Sequence, residues 1–310
     1  MKKIIIIVIS FISIIFIPYF ITRHLYEKKI ENPKVDLIQN KIVRVKRVSK
    51  NKIEKVPLEE YVMGVISSEM PISFEKEALK AQAVCARSYV LRKMEQNKNN
   101  SYDVVDTISN QVYANKEELK KKWNKNFNKN YKKLQEVVLE TTGEYMIYNG
   151  DIIETFFFST SNGKTENSEE VFTKKLPYLR SVESKWDKNI SPVYQDNLDM
   201  SLYDFYTKLN LKYNEKLNIQ IISRTESDSI KKIKINGILF KGTEVRKKLG
   251  LRSTYFKIKQ DGSNVKIDTK GYGHGVGMSQ YGAHGMAKEG YSYKEILKYY
   301  YSKVEINSIK

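Results

Sequence analysis

Glu69 closes an apolar stripe. In the stretch from Val56 to Pro71 the apolar positions Leu58, Val62 and Val65 are spaced four and three apart, and Glu69 follows Val65 by four. A helix over this stretch sets the Glu69 carboxylate on the face that should be buried, just before the break at Pro71. Burial strips solvent from the charged form and raises a carboxyl pKa, and a helix C-terminus pushes weakly the same way. A carboxylic acid kept protonated near neutral pH is what protonation of a glycosidic leaving group requires. The alternative is a frayed last turn with Glu69 in water, one acid among 36.

Two other segments carry groups suited to holding a ligand. Gly271 to Gly285 concentrates six of the 15 glycines and two of the three histidines, with His274, Gly275, Met278, Ser279, Gln280 and Tyr281 in its middle. Glycines at this density let a backbone approach a ligand or take positive φ. The spacing is not a phosphate-binding fingerprint. Nor is it a hydrolase elbow, because Tyr281 and not glycine stands two beyond Ser279. A structural glycine loop with an incidental histidine is the other reading. The stretch Phe158 to Asn167 offers Ser159, Thr160, Ser161, Thr165 and Asn167 at the end of a strand, a composition shared by carbohydrate sites and ordinary turns. His274 and His284 stand ten apart in the glycine segment, so no compact metal-ligand set is present. The single Cys85 reads as a small buried hydrophobe, and it excludes an intrachain disulfide.

The elements that must position these groups follow from periodicity. After the Glu69 helix the pattern predicts a longer helix from about Ser73 to Met94, with Ser73 as N-cap and a buried stripe of Phe74, Ala78, Ala81, Cys85 and Tyr89. Lys41 to Val48 alternates as a strand. Residues 115–134 are strongly basic and read as a solvated surface helix or excursion. Glu144–Tyr148 and Ile152–Ser159 flank Asn149-Gly150, a hairpin signal. Helices near 202–209 and 243–249 and strands near 218–222, 229–235 and 253–259 make a smaller insert at about 198–256. A helix over 292–301 and a last short strand close the chain. Mixed elements without regular βαβ alternation imply an α+β fold.

Ahead of this body, Ile4 to Ile21 is 18 residues without a charge, and the first alanine of the chain is Ala78. The run is near the ~20 residues a span needs and is longer than a signal-peptide core, with no small-residue cleavage site after it. The expectation is a single-pass transmembrane anchor (residues 1–22), a stalk and leading strand (23–55) and the body (56–310). Lys2 and Lys3 favour an inside N-terminus, while Arg23, Lys28 and Lys29 oppose it. A polar body with no returning span argues for a body outside the cytoplasmic membrane. Within that location the formal charge of +18 suits anionic wall polymer or lipid headgroups rather than nucleic acid, for which no recognition motif is present.

Three ordered blocks carry a family resemblance. The first is Leu58-Glu59-Glu60-Tyr61-Val62-x-Gly64-Val65, Ser68-Glu69-Met70-Pro71 and Glu77-Ala78-Leu79-Lys80-Ala81-Gln82-Ala83-Val84-x-Ala86-Arg87-Ser88-Tyr89. The second is Phe158-Ser159-Thr160-Ser161-x-Gly163-x-Thr165-Glu166-Asn167 with Leu176-Pro177-Tyr178-Leu179-Arg180-Ser181-Val182. The third runs from Gly273-His274-Gly275-Val276-Gly277-Met278-Ser279-Gln280-Tyr281-Gly282-Ala283 to Tyr299-Tyr300. Together they resemble the stage II sporulation protein D family over most of residues 56–306.

The resemblance implies a lytic transglycosylase that cleaves the MurNAc–GlcNAc β-1,4 linkage of peptide-stripped glycan strands to 1,6-anhydro-MurNAc products during forespore engulfment. Glu69 would be the catalytic acid, and Gln82, Arg87 and Tyr89 would join the residues of the second and third blocks in binding substrate. A cell-wall amidase and a membrane-bound sporulation complex are the implied partners, with the body on the mother-cell side of the engulfing septum. A non-catalytic glycan-binding scaffold that activates a partner amidase is the competing function. Some members bear a Cys/His zinc cluster ahead of a Gln-x-Tyr element. Here Asp106 to Tyr113 keeps Gln111 and Tyr113 but has neither Cys nor His, so no metal or other cofactor is expected.

Overall fold

The computed structural model describes residues 41–309; the expected anchor and the stalk up to residue 40 lie outside the described residues. Among the described residues no helix is long and apolar enough to cross a membrane. The described chain is a mixed α+β body, as expected.

Strand β1 (Ile42–Arg47) pairs antiparallel with β2 (Lys52–Pro57) and parallel with β3 (Val104–Val105). Its inward positions Val43, Val45 and Arg47 alternate with exposed or half-buried ones, the period a half-buried strand requires. Helix α1 (Leu58–Glu69) starts directly after Pro57, whose fixed φ suits a helix start, and Glu69 is its last residue. Helix α2 (Lys76–Gln96) is the hub of the larger core. The expected stripe of Phe74, Ala78, Ala81, Cys85 and Tyr89 is buried. The helix is buried on nearly every side over Ala78–Leu91, because Ala78, Ala81, Ala83 and Ala86 leave room for neighbours to approach. Ser73 does not cap it. The N-cap is Glu75, without a side-chain bond, since a Pro71–Phe74 turn delays the helix.

Helices α3 (Lys116–Trp123) and α4 (Phe127–Glu140) form the basic excursion. It is not merely solvated: Leu119, Leu134, Val137 and Val138 are buried, and α4 packs on α1 and α2. Strands β4 (Glu144–Tyr148) and β5 (Asp151–Ile152) make the hairpin at Asn149-Gly150, both with positive φ. The second run then breaks, and Phe157–Phe158 leaves as a separate strand, β6. Two short helices follow, α5 (Ser168–Val171) and α6 (Asp187–Ile190).

The insert region contains β7 (Gln195–Ser201), α7 (Leu202–Leu209), β8 (Ile219–Arg224), β9 (Ile230–Ile235), β10 (Ile238–Lys241), α8 (Gly242–Leu249), β11 (Phe256–Asp261) and β12 (Asn264–Lys270). Its sheets run β10-β9-β8 and β11-β12-β7, and they enclose a second core that includes Phe205, Tyr206, Ile233, Val245, Phe256 and Ile267. The chain then returns to the body. Strand β13 (Met278–Ser279) pairs parallel with β6, α9 (Gln280–Lys288) and α10 (Tyr293–Tyr300) pack on α2, and β14 (Glu305–Ser308) joins β4. Ser292 caps α10 with a reciprocal Glu295 bond.

Candidate active site

Glu69 is half-buried at the C-terminal end of α1, and its Oε1 accepts the Val112 N–H at 2.8 Å. Burial pushes its carboxyl above the ordinary range, while the Val112 N–H pulls part of the way back. Among the described residues no lysine or arginine pairs with it. Protonated, it donates; ionised, it retains one fixed amide. That is the pair of states a group needs if it is to serve first as acid and then as base.

The segment that supplies Val112 is locked against α1. Gln111 Oε1 accepts the Tyr61 hydroxyl at 3.2 Å, and Tyr113 stacks on Tyr61 with ring centroids 5.3 Å apart. Gly64 permits the approach: a Cβ there would lie 2.4 Å from the Ala114 carbonyl oxygen and 2.4 Å from the Tyr113 ring. Tyr61 is fully buried, and its phenol is raised well above its usual range by burial and by nearby Tyr89, Glu69 and Tyr113. The same side of α1 therefore gathers Glu69, Tyr61 and Tyr89.

The far side of this segment is held by Arg47, only 3 % exposed. Its guanidinium reaches Asp106 at 2.8 Å, Glu54 at 3.0 Å and Glu118 at 2.6 Å, and it lies 5.0 Å from the Tyr113 ring centre. Glu118 is held down at about 2 by these bonds against its own desolvation. This is where the resemblance would put zinc. Three carboxylates around an arginine, with no Cys or His between Asp106 and Tyr113, do not fit that metal. Among the described residues no group of three His, Cys, Asp or Glu side chains is arranged to hold a metal ion.

The loop after Glu69 is tied to the other blocks. Phe74 stacks on His284 at 4.3 Å and meets Tyr281 edge-on at 4.9 Å, while the Glu75 N–H donates to His284 Nδ1 at 3.1 Å. The Tyr281 N–H donates to the Ser159 carbonyl at 3.0 Å. Gln280 Nε2 reaches Gln82 Oε1 at 3.5 Å, and both glutamines are buried. Tyr281 and Ser159 are thus tied to the loop that follows Glu69, and Gln280 to Gln82 of α2.

Other expected contacts serve the scaffold or lie elsewhere. Arg87 is fully buried; it pairs with both oxygens of Glu59 and donates to the Glu144 carbonyl at 2.9 Å. Met278 is buried in β13. Ser161 and Ser279 turn inward to Asp187, which accepts the Ser161 N–H at 2.8 Å and the hydroxyls of Ser279 and Ser184. Thr160 bonds the Ser191 hydroxyl at 2.7 Å. Thr165 exchanges bonds with Val182 and donates to the Arg180 carbonyl. Asn167 Nδ2 reaches Glu226 of the insert at 2.8 Å. His274 sits among Phe156, Phe158 and Phe172, where burial pushes its imidazole down to about 4. Gly275 accepts the Glu166 N–H at 2.7 Å.

The glycines of this segment bring its backbone close to its own chain. Gly277 has φ +80°, and a Cβ there would fall 2.0 Å from the Phe156 carbonyl oxygen.

Two buried acids escaped the sequence reading. Asp187 is fully buried and its carboxyl is raised by burial; Glu166, 3 % exposed, accepts from Thr225 and Ser227. Hydroxyl residues clustered in 159–161 and 225–229 were the available signal, since a buried carboxylate needs donors. Cys85 behaves as expected: it is buried, hydrogen-bonded to Tyr301 at 3.3 Å, and its thiol is pushed up to about 12.

An α+β body whose first helix ends on one half-buried acid, and whose return segment packs on α2, defines a class in which distant blocks of the chain meet around that helix. Comparison with known proteins places the chain within it. The family profile for the stage II sporulation protein SpoIID matches residues 46–148. Stage II sporulation protein D of Bacillus amyloliquefaciens is 45 % identical, over 86 % of this chain and 78 % of its own length. That of Bacillus subtilis (strain 168) is 43 % identical with the same coverage. An amidase enhancer of Bacillus subtilis (strain 168) is 31 % identical over 79 % of this chain and 40 % of its own length. The chain belongs to the stage II sporulation protein D family.

Proposed function

We propose that the chain is a peptidoglycan lytic transglycosylase with Glu69 as its catalytic group. The observation that supports this most is a carboxyl raised by burial, fixed by one backbone N–H and, among the described residues, free of basic partners. Protonated Glu69 gives its proton to the oxygen that bridges MurNAc C1 and GlcNAc C4, and the C1–O bond breaks. The muramyl 6-hydroxyl then attacks C1 and loses its proton to the Glu69 carboxylate, closing a 1,6-anhydro ring. No water is consumed and the acid is regenerated. An internal nucleophile explains why one carboxylate suffices where hydrolysing glycosidases use two. Tyr89, Gln82, Ser159, Gln280 and Tyr281 are the candidates to orient the sugars.

In this reading peptide-stripped glycan strands are the substrate and engulfment of the forespore is the setting. The chain is anchored in the cytoplasmic membrane with its body on the mother-cell side, works with a cell-wall amidase and a membrane-bound sporulation complex, and carries no metal. Chelator-washed protein should contain no stoichiometric zinc by elemental analysis. The second reading, a glycan-binding activator of an amidase, is favoured by the relative named amidase enhancer. Incubation of the full chain in detergent micelles with peptide-free glycan strands, followed by mass spectrometry, separates the two. Anhydro-muramyl ends that disappear with Glu69→Gln support the transglycosylase. Undiminished product from that variant sinks the assignment of the acid, and tight binding without product favours the activator.

A further inference from the structure

A cavity of about 170 Å³ opens where α5 of the body meets the β8–β10 sheet and the start of α8 in the insert. None of its lining residues belongs to α1 or to the Val112 segment, so it is separate from the Glu69 site. Pockets that enclose a whole small molecule measure about 300–1,000 Å³, so this one suits a group that projects from a larger ligand. Its charges do not cancel. Of the acids in its wall, Glu169 is taken by Arg180 at 2.5 Å and Glu170 by Lys231 at 2.9 Å. Lys232 and Lys241 remain, and neither ammonium has an ion-pair or hydrogen-bond partner among the described residues. They stand directly opposite each other in the β9–β10 ladder, where like charges repel and cost stability. Helix α8 begins straight after Lys241 without a side-chain cap, so its first N–H groups and the positive end of its dipole add to the same spot.

Glu166 supplies an independent sign of a ligand. It is 3 % exposed and lines the cavity. Its Oε1 accepts the hydroxyls of Thr225 and Ser227, while its buried Oε2 has no partner among the described residues. Buried carboxyl oxygens ordinarily have one. Burial raises this carboxyl, so it takes up a proton more readily than an ordinary glutamate and can then donate from Oε2. Two ammonium groups, the N–H groups of a helix start and a carboxyl O–H all offer hydrogens to one place. Such a set calls for an anionic oxygen acceptor. Peptide-stripped glycan carries one: cutting the amide between the muramyl lactyl group and the stem peptide leaves a free lactyl carboxylate, where a peptide-bearing strand has a neutral amide.

We propose that this cavity takes the free lactyl carboxylate of a MurNAc residue between Lys232 and Lys241 at the start of α8, and that the contact is how the chain distinguishes stripped strands from peptide-bearing ones. The choice of this acid rests on the wall-glycan reading above; a phosphodiester polymer would bring anionic oxygens without the lactyl group. The insert then grips the strand at a site apart from the acid that cuts it.

The test is calorimetric titration of the full chain carrying Glu69→Gln, in detergent micelles, with peptide-free glycan strands and with the same strands after conversion of their lactyl carboxylates to amides. Saturable binding is expected, about tenfold weaker for the amidated strands. Lys232→Gln together with Lys241→Gln should weaken binding of the free-acid strands by a similar factor and make the two kinds of strand equal. Both lysines are exposed, so the pair of changes leaves the fold in place, as circular dichroism would check. Lys257→Gln with Lys259→Gln removes the same charge from exposed positions of β11 and should keep the tenfold preference. Equal affinity for the two kinds of strand before the lysines are changed, no binding at all, or the same loss from both lysine pairs overturns the proposal. Tighter binding of poly(glycerol phosphate) than of the strands, lost with Lys232 and Lys241, overturns the lactyl assignment in favour of a phosphodiester polymer. Anhydro-muramyl ends from the unsubstituted chain are scored separately. Binding with the expected preference but no such ends keeps this site and loses the transglycosylase, and ends formed by a chain without the preference lose this site alone.

Discussion

Gly64→Ala is the sharpest probe of how Glu69 is held. The added methyl would lie 2.4 Å from both the Ala114 carbonyl oxygen and the Tyr113 ring, where ordinary contact begins near 3.4 Å. Relief requires the 112–114 segment to retreat by about 1 Å. The Ala114 N–H to Gly64 carbonyl bond is already 3.5 Å long and would break. The Val112 N–H, now 2.8 Å from Glu69, would leave hydrogen-bond range. Overpacking costs about 1–3 kcal/mol, of which the better helix propensity of alanine returns up to about 1.

Catalysis should suffer more than stability. A catalytic group misplaced by about 1 Å costs on the order of 10²-fold in rate. The Val112 N–H is also the influence that lowers the Glu69 pKa; without it, burial acts alone and the carboxyl stays protonated to higher pH. In the proposed mechanism the protonated acid starts the reaction, so the limb on which activity falls as pH rises should move upward. The assay is release of anhydro-muramyl ends from peptide-free glycan across pH 5–9, with circular dichroism to confirm folding. A merely destabilised variant would lower the whole profile and leave the limb in place. An unmoved limb, or one that moves down, would refute the claim that Val112 sets the Glu69 pKa.

Glu69→Gln should raise the melting temperature at alkaline pH and not at acid pH. Burial raises the folded carboxyl above its unfolded value, so the stability Glu69 contributes is complete below the ordinary carboxylate range and is lost as pH rises through the raised value; a pH-independent difference in scanning calorimetry would contradict this. Arg47→Ala should cost about 3 kcal/mol in urea denaturation, because Asp106, Glu54 and Glu118 would be left facing one another; a loss below about 1 kcal/mol would show the network to be ornamental. Ser279→Ala removes one of the donors to fully buried Asp187 and should cost about 1–3 kcal/mol, with a larger deficit at pH 8 than at pH 5, since the missing bond served the ionised form. Equal deficits at both pH values would mean Asp187 is protonated throughout.

What could be read from the residues was what local periodicity controls. The spacing of Leu58, Val62, Val65 and Glu69 placed the acid at the end of α1, and the stripe from Phe74 to Tyr89 located the core face of α2, because side chains three and four apart share a helix face whatever packs on it. Pairings between distant short segments were not legible. Strands β6 and β13 have two residues each and meet across about 120 positions of sequence, so neither carries a period. The run Ile152–Ser159 looked like one strand, yet it splits because Thr155 turns inward to the Cys85 carbonyl and Phe158 leaves for β13. Asp187 and Arg47 carry no pattern of their own. Each is a lone charge most of whose partners come from segments tens of residues away, and only the folded chain shows that Arg47 gathers Asp106 and Glu118, and that Asp187 takes the Ser279 hydroxyl.

The basic excursion shows how the fold uses positive charge without spoiling its acid. The last carbonyls of a helix carry partial negative charge, which would both strain the loop and raise a nearby carboxyl. Lys122 Nζ donates to the Ser67 carbonyl at 2.8 Å, and Lys133 Nζ to the carbonyls of Ile72 and Phe74 at 2.8 and 2.7 Å. These ammonium groups therefore neutralise the helix end and pin the turn that follows Glu69, while none of them bonds its carboxylate. An ammonium on Glu69 itself would favour the ionised form and remove the proton that the proposed reaction needs. With the helix end neutralised, burial is the dominant cause of the raised pKa. Burial is screened far less by salt than an exposed charge would be, so the upward shift of the Glu69 carboxyl should persist as ionic strength varies.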